Sequence, residues 1–240
     1  MEALGFAIVC IFLLIRLLNL KDKVAESLLY PLTLMLVLIA VSESSLLDVR
    51  TQFSVLRDFI FIAFVVHFFN FLCQGGLASQ LGIRPRTVRG LFGIVFCPFL
   101  HQWEKNHKDH IFGNTAAFIT LGWLIILQLG GELFYKLTVC IALLSGAAIW
   151  LLGDRRFTYF GASAVTFGFM GFLAAFAAIS RQSTALFFAA AAIIAYSWHY
   201  QKILQGQDSF GHGVGFVSGI TIATLSLSSD RFIMLLEAIN

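Results

Sequence analysis

The chain has 240 residues, 59% of them hydrophobic and 12% charged, with a mean hydropathy of +0.87. A soluble domain carries about a quarter charged residues, so this composition excludes an ordinary water-soluble fold and marks an integral membrane protein. The net charge of +3 comes from loop residues and is too small for a nucleic-acid surface or a polybasic lipid-binding tail.

A helix that crosses about 30 Å of hydrocarbon needs roughly 20 mostly apolar residues. Apolar runs between charged or Gly-rich breaks predict eight helices, at 4–19, 28–46, 57–74, 110–129, 133–152, 161–179, 183–200 and 211–226. The N-terminal run MEALGFAIVCIFLLIRLLNLKDK has no basic region before its apolar stretch and no small-residue cleavage site after it. It is expected to be a retained anchor rather than a signal peptide. The first two helices hold no polar cluster, although Glu43, Ser44 and Ser45 close the second. Cys10, Cys73, Cys97 and Cys140 are scattered without a C-x-x-C pair, which predicts buried thiols rather than a zinc knuckle or a disulfide framework.

The connection from Gln74 to Asp109 is far longer than the usual helix-to-helix link of about 2–8 residues and too apolar for a solvated loop. Its segment GLFGIVFCPFLHQWEKNHKDH mixes aromatic and aliphatic residues with glycine, proline and histidine, so it is expected to lie in or against the membrane interface. The end of the chain, LSSDRFIMLLEAIN, is short and amphipathic and is expected to cap the bundle or rest on the membrane. Lys and Arg are more numerous on the side that holds the long loop; taken literally, this puts that loop in the cytoplasm.

Polar groups inside a membrane are costly and are functional candidates by default. Three places qualify. Ser163 lies in GASAVTFGFMG at a helix start. Small residues there are an ordinary packing device between membrane helices. A serine following Gly161 at a helix start also exposes its hydroxyl while its N–H stays unpaired by the helix, which suits a nucleophile whose attack creates an oxyanion. His212 opens GHGVGFVSG, so His212, Gly215 and Gly219 fall at i, i+3 and i+7 on one stripe. Ala164, Gly168 and Gly171 offer the complementary small surface, and packing the two stripes would bring imidazole to hydroxyl. The competing reading is a histidine hydrogen-bonded within a polar pocket. His110 and Asn114, at i and i+4, share a face and can aim two donors at one point, as a developing oxyanion requires. Metal binding by His101, His107 and His110 is the rival for this region, but no H-E-x-x-H pair accompanies them. His67 and His199 lack such companions and are expected to be structural or interfacial.

The segments HQWEKNHKDHIFGN, GASAVTFG and GHGVGFVSG, in that order, resemble the three signatures of the rhomboid family of intramembrane serine proteases. The preceding GIRPRTVRGLFGIVFCPFLH resembles the loop that enters the membrane edge in bacterial members. The resemblance implies an all-α polytopic membrane bundle: two N-terminal helices (1–56), a six-helix catalytic core (57–226) and a short tail (227–240). It implies an endopeptidase that cleaves other proteins in or near their membrane-spanning segments, with Ser163 as nucleophile and His212 as general base. It further assigns His110 and Asn114 to the oxyanion, His101 to the role of a loop histidine that helps order the site and Phe167 to packing on the base, with Gly161 and Gly215 in support. No metal or organic cofactor is implied. The partners are a transmembrane protein substrate and membrane lipid, with no nucleic acid, in a multi-pass protein of the bacterial inner membrane.

Members place the long loop and the mouth of the site on the non-cytoplasmic side, opposite to the charge count, and the resemblance is followed here. It also makes the helix at 183–200 and the loop YQKILQGQDSFG the candidate gate. Two departures stand out: Ala164 replaces a frequent glycine, where its methyl is expected to widen the helix contact, and Lys105 stands where many members have histidine. Asp208 is a weaker candidate to orient His212. The alternative function is a catalytically silent relative that binds client membrane proteins. A transporter with a histidine relay would require acidic residues deep in the helices, and Glu43 and Glu132 lie near helix ends.

Overall fold

The computed structural model describes residues 46–101, 108–181, 183, 185–190, 192–193 and 209–228. The two predicted N-terminal helices up to residue 45, most of the loop YQKILQGQDSFG and the tail beyond Ser228 lie outside the described residues. The elements are α1 (Leu46–Leu72), α2 (Gly76–Leu81), α3 (Val88–Phe96), a 3-10 turn (Cys97–Phe99), α4 (Lys108–Leu152), α5 (Ser163–Ser180) and α6 (Ser209–Ser228). Among the described residues, the only non-helical pairing is an isolated antiparallel bridge between Ile83 and Tyr159.

The outer surface is apolar. Phe61, Phe68 and Phe69 on α1 and Val217 and Leu225 on α6 are each more than half exposed. In water such a surface drives association; around a bundle of this composition it faces hydrocarbon. Among the described residues, three helices, Ser54–Leu72, Gly113–Leu152 and Ser163–Ser180, are long and apolar enough to cross a membrane. Helix α1 starts at Leu46, earlier than the apolar run predicts, because the stretch that carries Asp48 and Arg50 before the candidate span at Ser54 is also helical.

Helix α4 contains a break at Gly130, whose φ of 80° and ψ of 167° are open to glycine alone. In a straight helix, positions 118 and 134 would stand about 24 Å apart at 1.5 Å per residue. The rings of Phe118 and Phe134 instead meet at 5.9 Å, so the chain reverses at Gly130. The two halves match the predicted helices at 110–129 and 133–152. Phe169 of α5 lies 5.4 Å from both rings, and these three aromatics form the centre of the buried core with Leu121, Ile125 and Ile141.

The long connection is built rather than loose. Helix α3 has nine residues, about 14 Å of helix, and cannot span the bilayer. Its Val88, Phe92 and Val95 are exposed while Gly90 and Gly93 are buried. A Cβ at Gly93 would run into the backbone of Gly82 and Ile83. The Thr87 side chain caps α3 by accepting from Gly90 N–H at 3.1 Å. Trp150 Nε1 donates to the Thr87 carbonyl at 2.8 Å, and Arg86 Nη1 donates to Leu151 at 2.8 Å, so the connection is moored to the end of α4. This places it at the same end of the bundle as the starts of α5 and α6.

Cys97 closes this mooring. It is buried, its carbonyl accepts from Gly161 N–H at 2.9 Å, and its thiol faces the Gly161 carbonyl at 3.9 Å. Burial pushes the thiol up from an ordinary 9.0 to about 12, against a smaller lowering by the Gly161 carbonyl. The unfolded chain therefore ionises first, and the stability linked to this thiol is full below pH 9 and lost as pH rises toward 12. Thermal unfolding in detergent is expected to lose about 1.4 kcal/mol of stability from this group by pH 10. Cys97→Ala flattens that alkaline limb.

Candidate active site

The N-terminus of α5 carries the first candidate. Gly161, at φ 114°, turns the chain into the helix, and its N–H bond to Cys97 fixes the turn against the 3-10 element. Ser163 is the first residue of α5 and is half-buried, so its hydroxyl is reachable. N–H groups of a first helical turn have no acceptor within the helix and carry the positive end of its dipole. Thr166 Oγ1 donates to the Ser163 carbonyl at 3.0 Å.

Helices α5 and α6 run parallel and touch backbone to backbone. A Cβ on Gly215 would run into the Ala164 carbonyl, one on Gly219 into the Gly168 carbonyl, and one on Gly171 into the Phe216 carbonyl. The predicted pairing of the two small-residue stripes is therefore the observed one. The methyl of Ala164 does not hold the helices apart, contrary to the expectation. It belongs to a cluster with Ile83, Cys97, Ile149 and Tyr159, against which Val214 of α6 also packs, while its carbonyl meets Gly215.

This register places the second candidate. His212, half-buried on the first turn of α6, lies against Phe167 with ring centroids 4.7 Å apart at 34°. Phe167 is four residues after Ser163 and shares its face of α5. The imidazole thus lies along the face of α5 that bears the hydroxyl.

Asn114 and His101 share a third location. Both line a cavity of about 170 Å³ that also touches Ala162 and Val165 beside Ser163. Thr115 and Thr138 line it too, with their hydroxyls donated to the carbonyls of Ile111 and Phe134, so their methyls face the space. His110 lies in the first turn of α4, but its side chain, like those of Lys105, His107, His199 and Asp208, lies outside the described residues.

His101 is buried, and its ring packs edge-on against His67 at 6.3 Å between centroids. His67, which has no motif companion in the sequence, thus meets His101 in the fold. Glu132 pairs with Lys136 at 2.7 Å beside the Gly130 reversal. Its carboxylate is exposed just after the break in α4.

One residue escaped the sequence reading. Asn70, fully buried at the end of α1, donates from Nδ2 to the His101 carbonyl at 2.8 Å and accepts at Oδ1 from Ala78 N–H at 3.0 Å. The available signal was a lone amide in the apolar run HFFNFL.

A family profile described as the Rhomboid domain matches residues 88–229. The chain belongs to the rhomboid family. This rhomboid protein is also 28% identical over 185 residues to uncharacterized proteins of Mycobacterium bovis and Mycobacterium tuberculosis, covering 72% of this chain and 74% of theirs. No solved structure matches the chain significantly. The match includes the connection from α3 onward, both halves of α4, α5 and α6, so every candidate of this rhomboid site falls within it.

Proposed function

We propose that the protein is an intramembrane serine endopeptidase acting on other membrane proteins. The observation that carries this reading is the His212 imidazole packed at a tilt on Phe167, along the face of α5 that presents Ser163. Family membership supports it, since rhomboid proteins generally are serine proteases that act on transmembrane substrates.

In this reading the Ser163 hydroxyl attacks a peptide carbonyl carbon while His212 takes its proton. A C–O bond forms, and the carbonyl π electrons move to oxygen. His110, Asn114 and the Ser163 N–H donate to that oxyanion. Its collapse expels the amine, which takes the proton from His212. Water, deprotonated by the same imidazole, then releases the acyl group and restores Ser163.

The core is read as six helices over 57–226, with two further helices before it and a short tail after. The membrane is read as a bacterial inner membrane, in keeping with the mycobacterial relatives, and the mouth of the site is assigned to its non-cytoplasmic face by the family resemblance alone.

The test is co-reconstitution with single-span membrane proteins in lipid vesicles. The parent is expected to release fragments cut within or near the span, and Ser163→Ala none. A folded parent that co-purifies with these proteins and leaves them whole would replace this reading with the client-binding one.

A further inference from the structure

We propose that Asn70 is a positioning residue for the site: its buried amide clamps the long connection at His101 to the end of α1 and thereby fixes the His101 and Asn114 wall of the cavity that reaches Ala162 and Val165 at the start of α5. The inference rests on the protease reading of Ser163.

The geometry requires one donor and one acceptor on the same short side chain, which a carboxamide supplies at every pH. Asn70 is fully buried, and its side chain uses one donor and one acceptor on two different stretches of backbone. Nδ2–H bonds the His101 carbonyl, 31 residues onward, at 2.8 Å; Oδ1 receives the Ala78 N–H, eight residues onward, at 3.0 Å. The Asn70 carbonyl also accepts from Gly75 N–H at 2.8 Å. One residue thus joins α1, the entry of the connection at α2 and its exit at His101. The reversal between α1 and α2 passes through Gln74 and Gly75 at φ of 52° and 82°, a strained turn that this bond network holds closed.

The exit matters because His101 and Asn114 line one cavity with Ala162 and Val165. A shift of the His101 backbone moves that wall relative to the start of α5. A buried carbonyl or N–H left without its partner costs more than the bond itself returns, so the connection cannot drift while Asn70 is intact. Leucine would fill the same volume and satisfy neither group.

The test compares the parent, Asn70→Leu and Asn70→Asp in detergent, with folding verified by helical circular dichroism and a monodisperse elution profile. Serine reactivity is read as the rate of labelling by a fluorophosphonate, separated into affinity and maximal inactivation rate. Asn70→Leu is expected to lower the maximal rate by about tenfold or more, at little changed affinity, and to speed amide hydrogen exchange at Ala78 and around residues 97–101. Asn70→Asp supplies the second readout. Its protonated carboxyl donates to the His101 carbonyl while accepting from Ala78, whereas its ionised form has no donor. Its rate relative to the parent is therefore expected to rise as pH falls. Taking that ratio removes the titrations of His67, His101 and His212, which both proteins share.

Folded variants that label like the parent at every pH overturn the inference. So does unchanged exchange around residues 97–101 in Asn70→Leu, which is decided without any activity. A parent that does not label at all defeats the protease reading instead, and the exchange arm still decides the clamp.

Discussion

Ser163→Ala and His212→Ala are each expected to stop membrane-protein cleavage while leaving the bundle folded. Removing the hydroxyl removes the nucleophile, and a fall of more than about a thousandfold follows for residues that act as a unit. Removing the imidazole leaves the hydroxyl at its ordinary, weakly nucleophilic state and costs about 10²–10⁴-fold. The stability change is small by comparison. Ser163 is half-buried at a helix start, and His212 is half-buried with its ring packed at a tilt on Phe167, centroids 4.7 Å apart, a contact worth about 0.5–1.5 kcal/mol. The measurement is initial cleavage rate together with thermal midpoint in the same detergent. A His212→Ala protein that cuts at the parental rate would remove the imidazole from the mechanism.

The second large effect concerns packing. Gly215→Ala adds a single methyl where the Ala164 backbone carbonyl already stands. Backbone cannot rotate away as a flexible side chain can, so α5 and α6 must separate. Overpacking of this kind costs about 1–3 kcal/mol. The separation also carries His212 away from the Ser163 face, so reactivity is lost along with stability. Gly213→Ala is the internal control. It lies two residues earlier on the same helix, and a Cβ there has nothing within 4 Å. Alanine is a better helix former than glycine by about 1 kcal/mol, so this variant is expected to be as stable as the parent or slightly more so. Equal thermal midpoints for the two variants would contradict the close contact.

The contrast between these glycines also explains what the sequence made legible. His212, Gly215 and Gly219 at i, i+3 and i+7, facing Ala164, Gly168 and Gly171, encode a helix pair through spacing alone, because a helix repeats its faces at fixed intervals. The reversal in α4 was legible as two apolar runs separated by glycine. The folded connection was not. Its moorings are bonds between residues far apart in sequence, Ile83 with Tyr159, Trp150 with Thr87 and Asn70 with His101, and nothing local announces such partners. Asn70 illustrates the difficulty: a single amide among phenylalanines fits no periodic pattern, and its role appears only when both backbone partners are in place. The ring contact of His67 with His101 was hidden for the same reason.

Ala164 shows the opposite error, where a local rule was applied too directly. A methyl at a small-residue position was expected to push the helices apart, but the neighbour at the contact is a carbonyl, and the methyl turns into the cluster around Cys97 and Tyr159. The side chain that decides the approach of α5 and α6 is the one missing from Gly215.

The central claim is that Ser163 is an activated nucleophile, and it is tested most directly by finding which residue a fluorophosphonate modifies. The folded parent would be labelled in detergent, digested and mapped by mass spectrometry. The account predicts one phosphonyl adduct on Ser163, absent from His212→Ala. An adduct on another hydroxyl, or none on a folded parent under conditions that label an active serine protease, would contradict it.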